Sequence, residues 1–216
     1  MKTGDIQIAA FLSALGDPVP SPAGGSAAAI CAALGTQTAR FVASLTVGKK
    51  KYAAHEERLL EIKEELRGIS EELLGLSDAD IAVFQPLSEA YKLPRGTEEE
   101  RHRREAVMED CLKNACSVPL SLMELCVRML GPTEELLTIG SRLALSDVGV
   151  AARLLSAALG SAFLNVLINT KDMKDRALAE ALLQKGQALL TEGDRRALAL
   201  YEAVQRKLAP ENQENA

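Results

Sequence analysis

Very little in this chain could hold a metal. Its 216 residues include two histidines, His55 and His102, each set among charged neighbours, and four cysteines, Cys31, Cys111, Cys116 and Cys126, that form no Cys-x-x-Cys pair. A zinc site is therefore not expected. The cysteines fall among apolar positions and read as core residues of a reduced protein, with a cysteine nucleophile as the lesser alternative. A cationic start followed by an apolar stretch and a cleavage site is missing, so the chain is expected in the cytoplasm. There is no basic excess: 25 Lys plus Arg face 30 Asp plus Glu, a formal charge of -5, which argues against a general nucleic-acid binder. The uncharged stretches 18–39 and 154–170 lack the run of strongly apolar residues that a spanning helix needs, so no membrane partner is expected. Period-two alternation rich in β-branched residues is absent, and so is any internal repeat.

Helical periodicity is what the chain has instead. Leu59, Ile62, Leu66, Ile69, Leu73 and Leu76 are spaced three and four apart, and Met108, Cys111, Ala115, Val118, Leu122, Leu125 and Met129 repeat the pattern. Punctuation predicts helices over residues 5–15, 26–47, 53–91, from Thr97 to Gly131, a short one to Gly140, 147–170 and 175–208. Thr97 and Glu100 form a capping box, Pro86 and Pro119 should kink their helices, Gly131-Pro132 should end one, and Ser146 should cap the next. The expected fold is an all-α, mostly antiparallel bundle of long helices, one domain over residues 1–210 with a frayed polar tail at 211–216.

Three places are stranger than a plain bundle requires. Ser21-Pro22-Ala23-Gly24-Gly25-Ser26 opens an alanine-rich helix. Its small residues suit either a tight helix crossing capped by Ser26 or close approach of a flat ligand to free amides. Lys49, Lys50 and Lys51 leave that helix beside Tyr52, as a solvated cap or as a clamp for a carboxylate- or phosphate-rich ligand. Polar groups also interrupt apolar helices: Asp78 and Asp80, Ser146 and Asp147, and the pair Asn165 and Asn169, four apart on one face. Buried amides need partners. Carboxylates, Ser, Lys and amides without a metal or strong nucleophile suit acid–base chemistry on a carbon that is already electrophilic, such as that of an amidine or iminium.

These segments occur together with Leu45-Thr46-Val47-Gly48-Lys49-Lys50-Lys51-Tyr52, Asp78-Ala79-Asp80 with Phe84, Tyr91-Lys92-Leu93-Pro94, Ser117-Val118-Pro119-Leu120, Ser146-Asp147-Val148-Gly149 and Leu164-Asn165-Val166-Leu167-Ile168-Asn169. In that order they resemble the cyclodeaminase domain of formiminotransferase-cyclodeaminase and the stand-alone methenyltetrahydrofolate cyclohydrolases of the same family. The resemblance runs from about Phe11 to Asp175. It implies a helical homodimer with a tetrahydrofolate derivative bound near the subunit interface, no prosthetic group, and no room for the formiminotransferase half. Ala23 stands where the family usually has a first glycine, and Ser141 where asparagine commonly follows Gly140. Altered affinity is the expected consequence.

The resemblance implies one of two reactions. A cyclodeaminase closes formiminotetrahydrofolate to methenyltetrahydrofolate and expels ammonia; a cyclohydrolase adds water to methenyltetrahydrofolate and opens it to formyltetrahydrofolate. The first is the leading expectation and the second its alternative; a non-catalytic folate-binding bundle is the rival. Carried onto this chain, Asp80 would move the proton with Asp78 near it, and Asp147 would stabilise the cationic amidinium. Lys49, Lys50 and Lys51 would hold a polyglutamate tail, Asn165 and Asn169 the pterin edge, and Gly24, Gly25, Ser26 and Ser146 would complete the substrate site.

Overall fold

The computed structural model describes residues 2–19 and 21–209; the expected frayed tail lies outside them. Six helices follow one another: α1 Ile8–Gly16, α2 Gly24–Thr46, α3 Glu56–Tyr91, α4 Glu98–Ile139, α5 Leu145–Lys171 and α6 Arg176–Leu208. Short 3-10 turns occupy Thr3–Asp5, Lys50–His55 and Arg142–Ala144. No strand occurs among the described residues.

Cross-links between helices set their directions. Gly48 and Glu56 meet at one end of α2 and α3 and Ser26 and Asp80 near the other, so the two run antiparallel. Arg58 with Glu135 and Arg128 with Glu72 set α4 against α3, and Asn169 with Ala115 sets α5 against α4. α6 returns along α5, tied by a 2.7 Å bond from Ser156 Oγ to Asp194. α2 lies between α3 and α5 in the main core. The α3 stripe from Leu59 to Leu73 is buried as its spacing predicts. Alanines on α2 let α5 come close: a Cβ on Gly35 would lie 3.2 Å from Leu154 Cβ and 3.3 Å from the Ala151 carbonyl oxygen. A second apolar cluster, around Leu87, Met108, Leu112 and Met173, binds the ends of α3 to α6 that extend beyond α2.

Several boundaries shift from the sequence reading: α1 begins at Ile8 instead of residue 5 and α3 at Glu56 instead of residue 53, and α2 begins at Gly24 with Ala23 at its N-cap, so Ser26 lies inside the first turn and does not cap it. Two further differences concern α4 and α5. α4 runs unbroken through Gly131-Pro132 to Ile139, because Leu130, Thr133 and Leu136 continue its buried face and Thr133 Oγ1 donates 2.7 Å to the Met129 carbonyl. Core burial here outweighs the local cost of proline. α5 starts at Leu145 with Ala144 at its N-cap, so Ser146 is already inside the first turn and caps nothing. The Thr97–Glu100 capping box forms, and Asp175 caps α6 through Leu178 N at 3.0 Å.

Pro119 explains Asn169. A proline inside a helix removes the amide that would reach the carbonyl four residues back, which here belongs to Ala115. Asn169 Nδ2 fills the gap from α5 at 3.0 Å. Asn169→Ala should therefore cost about 1–3 kcal/mol, since a buried acceptor is left unpaired. In a Pro119→Ala background most of that cost should vanish, because the restored amide returns to Ala115. Urea denaturation of the double-mutant cycle reads the difference.

Candidate active site

The N-terminus of α2 and the middle of α3 build one polar cluster. Ser26 is fully buried, and its Oγ donates 3.0 Å to Oδ2 of the half-buried Asp80. Gly25 lies directly beside that carboxylate: a Cβ there would collide with Oδ1 and leave only 2.7 Å to Oδ2. With any larger residue at position 25 the Asp80 carboxyl would have to move from its present place. Burial pushes the Asp80 carboxyl above the usual aspartate range, and the Ser26 hydroxyl and amide hold it back only in part. Ala23 precedes the helix with φ -138° and ψ -159°, extended backbone that alanine adopts as readily as glycine.

A groove of about 600 Å³ opens at the same end of α2, on the face turned to α5, lined by Gly24, Ala27, Ala28 and Cys31 from α2 and by Ser161, Leu164, Asn165 and Ile168 from α5. Asn165 Nδ2 donates to Ser161 O at 3.0 Å within its own helix. Gly24, Gly25, Ser26, Asp80 and Asn165 therefore lie at the same end of α2 but on two of its faces: Ser26 and Gly25 meet Asp80 of α3, and Gly24 shares the groove with Asn165 of α5. Asp78 and Asn169 serve other partners. Asp78 Oδ1 accepts from Thr3 N at 2.7 Å and Thr3 Oγ1 at 2.6 Å, anchoring the N-terminal turn. Two residues along a helix is about 200° around it, so Asp78 and Asp80 point to different sides. Burial raises the Asp78 carboxyl, but the Thr3 bonds outweigh it and hold it below the usual range.

The other end of α2 carries a second cluster. Ser141 N donates 2.8 Å to Thr46 Oγ1, Lys49 Nζ donates 3.3 Å to Ser141 Oγ, and Arg142 N donates 3.2 Å to Tyr52 OH. That last bond, joined by Ser141 and the charges of Lys51 and Lys49, lowers the Tyr52 hydroxyl against its burial. Asp147, half-buried, follows in the first turn of α5. Lys50 and Lys51 are exposed, so the three lysines do not act alike: only Lys49 is drawn into the junction. Ser146 faces a different groove, toward α6, with Arg153, Tyr201 and Val204. Sequence reading missed the parts played here by Thr46, Ser141 and the Tyr52 hydroxyl. The two clusters are about 30 Å apart along α2, at 1.5 Å per residue.

Between them α2 exposes two large apolar side chains, Leu34 and Phe41, alternating with the polar Gln37 and Ser44. Leu34 is 54% exposed and Phe41 50%, and on α5 Leu164 is 64% and Ile168 59% exposed. By length and composition alone, α2 and the span Arg142–Lys171 are apolar enough to cross a membrane, contrary to the sequence reading; about half of each apolar window is buried inside the bundle, 50% and 44%.

Among the described residues no group of three or more His, Cys, Asp or Glu could hold a metal. Both histidines are exposed. Burial pushes the Cys126 thiol up to about 12 and the Cys116 thiol to about 11, and raises the half-buried Cys31 and Cys111 in the same direction, away from the reactive thiolate.

Residues 7–188 match the family model described as formiminotransferase-cyclodeaminase. The chain belongs to that family. It is 37% identical over 205 residues to a methenyltetrahydrofolate cyclohydrolase of Methylorubrum extorquens, covering 95% of this chain and 99% of the relative. It is 34% identical over 188 residues to the formimidoyltransferase-cyclodeaminase of Mus musculus, covering 87% of this chain and 35% of the relative, so it spans about a third of that protein. Its fold matches the formiminotetrahydrofolate cyclodeaminase of Thermotoga maritima with a TM-score of 0.80 at 25% identity, covering 95% of this chain and 96% of the other. A folate one-carbon enzyme with this family's helical fold is the result.

Proposed function

We propose that the protein is a methenyltetrahydrofolate cyclohydrolase. The observation that carries this reading is the 37% identity to a cyclohydrolase over essentially the whole of both chains. Ammonia loss from formiminotetrahydrofolate is the second reading, supported by the fold match to a cyclodeaminase over 95% of the chain. Both reactions pass through a tetrahedral carbon between two folate nitrogens.

Asp80 is the proton-transfer group. Its ionised carboxylate takes one proton from the water that adds to the methenyl carbon and returns it to the ring nitrogen as the carbon–nitrogen bond breaks, while the remaining hydroxyl proton leaves to solvent as the formyl C=O forms. The carbon is electrophilic before binding, so positioning in the groove and proton transfer carry the catalysis. A carboxyl held above the usual range exchanges protons nearer to neutral pH. As pH falls through the Asp80 midpoint the base is lost, so kcat/KM should show an acid limb above the ordinary aspartate range. A pH–rate profile measures it.

The active form is a homodimer with composite sites. Leu34 lies at the midpoint of α2, and a two-fold axis passing there lays the Lys49 end of one copy over the Asp80 end of the other. Each site would then combine the groove and Asp80 of one protomer with Lys49 and Asp147 of its partner. Asp147 stabilises the cationic substrate, and Lys49 holds the glutamate tail. Lys49→Ala should weaken binding of a polyglutamylated folate about tenfold or more, and Lys50→Ala far less, since Lys50 is exposed. Equal effects in a fluorescence titration would remove Lys49 from the clamp.

The deciding assay follows methenyltetrahydrofolate absorbance by stopped flow, with uncatalysed rates subtracted. Accelerated loss of the methenyl form to formyltetrahydrofolate establishes the cyclohydrolase. Its formation from formiminotetrahydrofolate with ammonia release establishes the cyclodeaminase. Tight folate binding with neither reaction would leave the non-catalytic binder.

A further inference from the structure

We propose that Ser26 and Gly25 are a positioning pair: together they seat the Asp80 carboxyl against the N-terminus of α2, and neither acts by touching substrate. The proposal rests on the reading of Asp80 as the proton-transfer group and assigns what holds that group in place. Ser26 is fully buried, and its Oγ spends its hydrogen on Asp80 Oδ2 at 3.0 Å. A side chain this enclosed is poorly placed to read a pterin edge. Gly25 supplies the other half of the seat, because any Cβ there would occupy the space of the carboxylate.

The seat does two things of opposite sign. It removes Asp80 from water, which favours the neutral acid, and it offers the Ser26 hydroxyl and amide, which favour the carboxylate. No charged side chain contributes to that balance. Asp78, two residues along α3, is turned to another side of the helix and its carboxylate is taken by Thr3. Two neutral groups on α2 therefore set when Asp80 gains and loses its proton, and where its oxygens stand while it does so.

The two residues should fail in opposite directions. Ser26→Ala removes a bond to the carboxylate but leaves the burial, so the Asp80 midpoint should rise. Gly25→Ala drives the carboxyl out of its seat toward water, so the midpoint should fall back toward an ordinary aspartate. The direct readout is the titration of Asp80 in full-length protein labelled with 13C at aspartate carboxyls, its signal assigned by its loss in Asp80→Asn. Circular dichroism checks that each variant keeps its helices, and Ser26→Cys keeps the side-chain volume if the alanine variant does not fold.

In parallel, kcat should drop about tenfold in Ser26→Ala and more in Gly25→Ala while KM holds, with the acid limb of the rate profile following the measured midpoint. Unchanged Asp80 titration in both variants overturns the proposal. Midpoints that move as stated while turnover stays at the wild-type level would keep the seat and remove Asp80 from the chemistry, which separates this proposal from the reading beneath it.

Discussion

Asp80→Asn should lower kcat by about 10² to 10⁴-fold and leave folate affinity close to wild type, because the amide keeps the shape of the carboxyl and loses only its proton transfer. Asparagine can still accept from the Ser26 hydroxyl through its carbonyl oxygen, so the buried donor stays paired and the fold should hold. The measurement is single-turnover conversion of methenyltetrahydrofolate with saturating enzyme, alongside an equilibrium titration of a non-reacting folate. Full turnover in the variant would remove Asp80 from the mechanism. Weak binding with an unchanged chemical step would make it a substrate contact. Asp78→Asn supplies the contrast: it loosens the Thr3 anchor, so its effect should fall on stability rather than on kcat.

Leu34→Asp should convert the protein to monomers and reduce turnover about 100-fold or more. Leu34 is 54% exposed in the protomer, so a carboxylate there meets water and leaves the core intact. Across a two-fold axis at the midpoint of α2, the same position would face its own copy, and two carboxylates would be forced together in an apolar contact. Light scattering after size exclusion reads the mass, and circular dichroism the fold. A folded monomer that retains full activity would show that each site is complete within one chain. An aspartate variant that is still dimeric would place the contact elsewhere, and reversible vesicle binding by the wild type would assign the exposed Leu34 face to a membrane surface.

Sequence reasoning went furthest where the signal is periodic and local. The signals for the α3 stripe, the capping box at Thr97 and the start of the last helix at about Asp175 each lie within a few residues along the chain, and the structure follows them. It went wrong at Gly131-Pro132, where the local rule for a helix stop met a face that continues into the core. It was half right about Asn165 and Asn169. Amides on so apolar a helix do need partners, but the partner of Asn169 is a carbonyl freed by Pro119 on another helix.

The site shows the same division. Asp80, Ser26 and Gly25 each stood out in the sequence, but nothing along the chain says that the aspartate sits against the glycine. Ser26 and Asp80 are 54 residues apart and meet only because α2 and α3 run antiparallel with one particular register. Asp78 and Asp80 look like a pair when written in a line, yet the helix turns them to different sides.

The sequence by itself determined that this protein is a bundle of long helices, because helix formation and apolar stripes depend on side chains three and four positions apart. Only the tertiary structure decided which polar residues share a site. It put Gly25, Ser26 and Asp80 at one end of α2, drew Lys49, Tyr52 and Ser141 together at the other, and gave Asp78 and Asn169 to the fold. The physical reason is that a hydrogen bond or a missing Cβ acts over about 3 Å, and that proximity is set by how helices cross, turn and register against one another.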